Sequence, residues 1–238
     1  MVEPVPLPLL RQRHDAETGA FHAAAWAMLV FTVFAFAQKV VVVPERLDRY
    51  TPLVVAHAGA MLAWLSLFTW QAWLVRHDAV RLHKGTGALS VVVVVAVLAT
   101  GFLVSARFTV EFDRIQIFLG NTVQLGSFAL LWLAGVVAAA THRIAAHRRL
   151  MFLAAFATLT PPISRVTQTL GLPNAAAAMI HAGLIFALPI AYDLVQRGRP
   201  HPASVLALAV ISALLVVAIV LGTLPPLPER VMALLARV

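Results

Sequence analysis

The sequence predicts an all-α, polytopic membrane bundle of seven transmembrane helices. Three observations carry this expectation. Of the 238 residues, 61% are hydrophobic and 12% charged. Mean hydropathy is +0.88. Apolar runs of about 20 residues, the length that crosses a bilayer, recur between short polar intervals. Spans and short loops use nearly the whole chain, so no second domain is expected. The formal net charge of +8 comes from 18 Lys and Arg scattered at span ends without a basic stripe. That pattern suits loops facing lipid headgroups and argues against nucleic acid as a partner. The absence of cysteine excludes disulfides, Fe–S clusters and thiol nucleophiles, so any metal must be held by His, Met, carboxylate or backbone oxygen.

Residues 1–19 read as a Pro-punctuated cytoplasmic tail, and residues 20–224 as the seven-helix domain. No short hydrophobic core with a small-residue cleavage site precedes the first apolar run, which is expected to be retained. The first span covers about 21–43, and Pro44 with Glu45, Arg46, Asp48 and Arg49 forms the turn after it. The second covers about 51–75. The third, about 82–106, includes valines at 91–95 that β-propensity would assign to a strand, but a run of spanning length in lipid must be helical. The fourth begins at Ile115 or Asn121 and ends near 140. The fifth, about 147–170, carries Pro161-Pro162 and is expected to kink or stop there. The sixth covers about 174–194 and the seventh about 203–224. Residues 225–238 form a short interfacial tail that opens on Pro225-Pro226.

Seven spans put the termini on opposite sides. With the N-terminus inside, Arg11, Arg13, Arg76, Arg81, Lys84, Arg143, Arg148, Arg149, Arg197 and Arg199 are cytoplasmic, and the inner loops are the more compactly basic. The expectation is N-in, C-out, in a bacterial inner membrane.

Seven of the nine histidines then lie at the cytoplasmic edge. The exceptions are His57 and His181, in the echoed segments His57-Ala58-Gly59 and His181-Ala182-Gly183. Each sits about six residues into a helix entering from the outer side, roughly 9 Å deep. A histidine inside a membrane span asks for a partner. If the second and sixth spans are neighbours, the two imidazoles face one another and suit a haem b held between them, with Arg165 at the level of a propionate. Gly59 and Gly183 point away from the histidines and would ease packing on a third helix. The alternative is that each histidine hydrogen-bonds a neighbouring helix, as Asn121 and Gln124 would from the fourth span.

A second constellation gathers at the cytoplasmic edge. His83, His147 and His201 with Asp193 could supply three imidazoles and a carboxylate to zinc, copper or iron. The alternative is that these groups only mark loop ends facing headgroups. The His57-to-His83 and His181-to-His201 hairpins run parallel, as a repeated helical hairpin would. Gly85-Thr86-Gly87 lacks the strand and lysine of a phosphate loop, and neither HExxH nor Gly-x-Ser-x-Gly is present.

His83-x-x-x-Gly87, His147-Arg148-Arg149-Leu150-Met151, Arg165, Tyr192-Asp193 and Arg199-Pro200-His201-Pro202 together resemble a group of bacterial multi-pass membrane proteins with no assigned activity. The histidines on several helices are also similar to those of cytochrome b561-type haem proteins. That resemblance implies ligand pairs on helices two and four and on three and five, where the fourth span here offers Gln124. The functional expectation is transmembrane electron transfer through haem, with a quinone or a redox protein as partner, in a membrane oxidoreductase. The alternatives are an enzyme or metal-handling protein with the cytoplasmic His/Asp site, and a carrier without cofactor.

Overall fold

Ten helices occur among the described residues. The computed structural model describes residues 7–44 and 50–236, and among them no strand occurs. The expected turn at Glu45, Arg46, Asp48 and Arg49 lies outside the described residues. In order the helices are α1 (Leu7–Val42), α2 (Pro52–Arg76), α3 (Val80–Gly87), α4 (Leu89–Phe112), α5 (Ile115–Ala140), α6 (Ile144–Ala157), α7 (Thr160–Thr169), α8 (Asn174–Arg197), α9 (Pro202–Thr223) and α10 (Leu227–Leu235). Six of them are long and apolar enough to cross a membrane. The α6–α7 pair makes up to seven if it counts as one span bent by 41°.

Three boundaries depart from expectation for local reasons. The first helix starts at Leu7 rather than near Phe21, because no proline interrupts residues 9–43 and Pro8 falls in the first turn, where a missing N–H is harmless. Most of the expected tail is therefore helix. The third span is preceded by a separate short helix, α3. Gly85 and Gly87 weaken the helix there, and a turn at Ala88 separates α3 from α4. The fifth span breaks at Thr158-Leu159, one turn before the prolines were expected to act, so that Pro161 and Pro162 sit in the first turn of α7.

The core lies around α6. Leu153, Ala154 and Ala155 are fully buried, and Phe156, Ala157, Thr158 and Leu159 nearly so. A segment apolar on all faces belongs inside a bundle. It packs on α5, α9, α8 and α1, while α2 lies on α1 and α4, and α7 on α8 and α1. Close approach of α5 and α6 depends on Gly135, where a side chain would meet the Met151 thioether at about 3.2 Å. Phe128 of α5 is buried edge-on against Trp64 of α2, with centroids 4.9 Å apart. One end of the bundle thus holds Glu17, Arg148, Arg149 and Asp193. The opposite end holds Gln38, whose amide reaches the Arg165 carbonyl at 3.3 Å.

Candidate functional site

The two echoed histidines are bonded to different helices: His57 of α2 to α4, and His181 of α8 to α6 and α7. His57 Nδ1 lies 3.0 Å from Thr100 Oγ1. The Thr100 hydroxyl already donates to the Ala96 carbonyl at 2.6 Å, so His57 Nδ1–H must donate to Thr100 and Nε2 keeps the lone pair. His181 takes the opposite tautomer. Its Nε2 faces the Phe156 carbonyl at 2.8 Å and must donate, which leaves Nδ1 to accept from Thr160 Oγ1 at 2.8 Å. The His181 ring also stacks on Phe156, 5.6 Å between centroids.

An axial haem ligand needs a ring nitrogen with an unengaged lone pair. His181 has none. Nor do α2 and α8 pack along one another, so the facing arrangement expected of the second and sixth spans is absent. The residues present do not fit a haem held between His57 and His181. Arg165, the expected propionate partner, instead lays its guanidinium over the Phe36 ring at 5.7 Å. A side chain built on Gly59 or Gly183 would meet open space, so neither glycine serves the helix packing expected of it. Gly101 does: its missing side chain makes room for the His57 ring, whose Cε1 would lie 3.1 Å from a methyl there. Gln124 of α5 keeps a buried amide nitrogen without a partner among the described residues.

The second constellation divides in two. His83 and His147 face each other edge to face at 6.2 Å. His147 Nδ1 donates to the Gly135 carbonyl at 2.9 Å, while His83 Nδ1 is buried without a partner among the described residues. Burial first, and then His147, hold the His83 imidazole below its ordinary value, against a smaller pull from the Gln71 backbone. His201 and Asp193 belong elsewhere. Among the described residues no group of three or more His, Cys, Asp or Glu side chains could hold a metal ion, so His83, His147, His201 and Asp193 do not assemble the expected zinc, copper or iron shell.

Asp193 instead closes an ionic cluster joining four helices. The Arg149 side chain is 4% exposed and Asp193 not at all. Arg149 Nε donates to Asp193 Oδ1 at 2.7 Å, and Nη1 donates to Glu17 Oε1 at 3.1 Å and to the Ala145 carbonyl at 3.0 Å. Arg148 holds the other Glu17 oxygen at 3.1 Å. Asp193 Oδ2 accepts from Ser204 Oγ at 2.6 Å and from the His201 backbone N–H at 2.9 Å. The His201 ring caps α9 by accepting from Ala203 N at 3.0 Å, and Pro202 occupies the first turn. Gly198, at φ 68°, ends α8 in the left-handed conformation that glycine tolerates. The Asp193 to Pro202 motif is thus the framework of one helical turn. Burial, Arg149 and Arg197 hold the His201 imidazole below its ordinary value.

Beside this cluster lies a cavity of about 220 Å³. Phe21 and Ala24 of α1, Phe152 of α6 and Leu188 and Pro189 of α8 form its apolar walls, and Arg149, Tyr192 and Ser204 its polar end. Phe21 packs edge-on against Tyr192 at 5.3 Å, and the Tyr192 hydroxyl is buried with no partner among the described residues.

No protein-family model, curated protein or solved structure matches the chain. Its chemistry is therefore read from its own residues. Glu17 and Ser204 carry no local mark of their role. Arg149 does carry a signal: it stands one helical turn before Leu153 in a run that is apolar from Leu150 onward, and a cation on such a face needs a buried partner.

Proposed function

We propose that this chain is a seven-span membrane protein, N-in and C-out, that binds an amphiphilic small molecule in the cavity beside Arg149, as a carrier or binding protein rather than through a resident haem. The observation that carries this reading is an apolar chamber ending in three polar side chains, one of which, Tyr192, has a buried hydroxyl with no partner among the described residues. Its volume is below the roughly 300–1,000 Å³ of a site that encloses a whole drug-sized ligand, so it suits a head whose tail stays in lipid.

Seven spans are supported by the course of the bent pair. α6 starts beside Glu17, near one end of α1, and α7 brings Arg165 to Gln38, near the other end. The pair therefore travels as far as the stretch of α1 from Glu17 to Gln38 does. The orientation is supported by the basic inner segments.

Native mass spectrometry of protein extracted from membranes tests the binding. We expect an adduct that is lost when Leu188→Trp fills the chamber. An adduct-free protein that also leaves added decyl-chain amphiphiles unbound overturns the reading, as does a haem Soret band that shifts on reduction. The absence of native cysteine makes single-cysteine labelling a direct topology test. Asp78→Cys should label from the cytoplasm and Glu229→Cys from outside.

A further inference from the structure

We infer that the head accepted by this cavity is neutral, planar and carbonyl-bearing, of the quinone class, and that it enters from the bilayer between α1 and α8. The inference rests on the proposed binding role and adds the chemistry of the ligand.

Charge comes first. Arg148 and Arg149 face Glu17 and Asp193, so two guanidinium groups meet two carboxylates and the cluster is balanced. An anionic head would lie against Glu17 and Asp193, whose charges the described contacts already pair with Arg148 and Arg149, and a cationic head would meet Arg149. A neutral head avoids both penalties.

Hydrogen-bond polarity comes next. Arg149 spends Nε and Nη1 on its carboxylates and the Ala145 carbonyl, and its guanidinium lies over the Tyr192 ring, 5.6 Å from the centroid. Arginine can only donate, and the unpartnered Tyr192 hydroxyl has a proton to give. The Ser204 proton is committed to Asp193. The polar side chains at this end are donors, so a head that reaches them must bring acceptors, which carbonyl oxygens supply.

Shape selects among neutral acceptors. Phe21 stands edge-on to both Phe152 and Tyr192, at 6.0 and 5.3 Å. These rings and the buried Pro189 make flat walls that suit a flat ring better than a branched ester. Access follows from the packing. α1 and α8 both line the cavity yet do not pack along one another, and at this level they meet through Phe21 and Tyr192. Ala24 beside them is small, and Leu188 is 44% exposed toward what would be lipid.

The test is equilibrium binding to purified full-length protein in quinone-free nanodiscs, with decyl-ubiquinone, decanoate and a short-chain diacylglycerol as separate probes. Decyl-ubiquinone should bind one to one. Tyr192→Phe should weaken it by about tenfold, the loss of one hydrogen bond. Because that hydroxyl has no partner among the described residues, the variant should keep the wild-type melting temperature, which separates loss of binding from loss of fold. Ala24→Phe, which narrows the entry, should abolish binding. Tighter binding of decanoate or of the diacylglycerol than of the quinone overturns the neutral planar head while leaving amphiphile binding intact. Unchanged quinone affinity in both variants places the quinone elsewhere and also overturns the inference. Failure of all three probes to bind overturns the binding role itself.

Discussion

The two ends of the bundle bury polarity in different ways. At one end full charges are buried and balanced: Arg149 and Asp193 lie at 2.7 Å with Glu17, Arg148 and Ser204 around them. At the other, neutral imidazoles and hydroxyls do the bonding, through His57 with Thr100 and His181 with Thr160 and Phe156. Charges hold several helices at once but leave a large penalty if one partner goes. Neutral groups here join two helices at His57 and three at His181, and can be lost more cheaply. The echoed His-Ala-Gly segments sharpen the point. His57 meets an intact helix, α4, and donates from Nδ1, whereas His181 meets the α6–α7 break and donates from Nε2. A shared motif did not produce a shared site, because the neighbouring groups, a hydroxyl for His57 and a backbone carbonyl for His181, chose the tautomer.

The largest expected effect lies at the charged end. Asp193→Ala leaves Arg149 buried with only Glu17, and should destabilise the protein by about 3–5 kcal/mol, read from detergent unfolding curves. Arg149→Met combined with Asp193→Leu should cost less than Asp193→Ala alone, since it removes both charges. A double variant worse than the single would show that the charges do more than neutralise one another. At the neutral end, His181→Phe strips a partner from Thr160 and from the Phe156 carbonyl, with an expected loss of about 1–3 kcal/mol. His57→Phe should cost less, about 0.6 kcal/mol, as is usual for one interhelical bond in a membrane, because Thr100 keeps its bond to Ala96. Equal losses at the two histidines would erase the distinction drawn from their tautomers.

The smallest effect is on pH dependence. His83 and His201 have folded pKa values below the ordinary 6.5. The unfolded chain therefore binds more protons as pH falls past about 6.5, and the stability present above that pH is lost as pH drops through the lowered folded values. Melting temperature should decline from pH 7.5 to pH 5. His83→Gln together with His201→Asn, which retains a capping side chain, should flatten that decline.

Most of the helices were legible in the sequence because hydropathy over a spanning length is a strong signal. α2, α5, α8 and α9 fall within a few residues of expectation, and the prolines at 161 and 162 marked the broken segment. What joins the helices was not legible. Glu17 meets Arg148 across a sequence separation of 131 residues, and no local pattern records such a pairing. The histidines were visible as polar groups in lipid, but their partners are a threonine on another helix and a carbonyl beside a helix break, which no spacing rule identifies. Four chemically suitable ligands, His83, His147, His201 and Asp193, share an end of the bundle without sharing a site, because Asp193 and His201 are consumed in building one turn.

The chain order of the ionic cluster bears on how the protein is made. Glu17 is synthesised first, Arg149 second and Asp193 third. An arginine costs about 2.5–3.5 kcal/mol at the centre of an inserting helix and less toward its end, where Arg149 stands. When α6 leaves the ribosome its aspartate does not yet exist, so of its two carboxylate partners only Glu17 is there to receive Arg149. Asp193 arrives with α8 and completes the set. In chain order the first helix therefore offers Arg149 its earliest carboxylate, and α8 supplies the second.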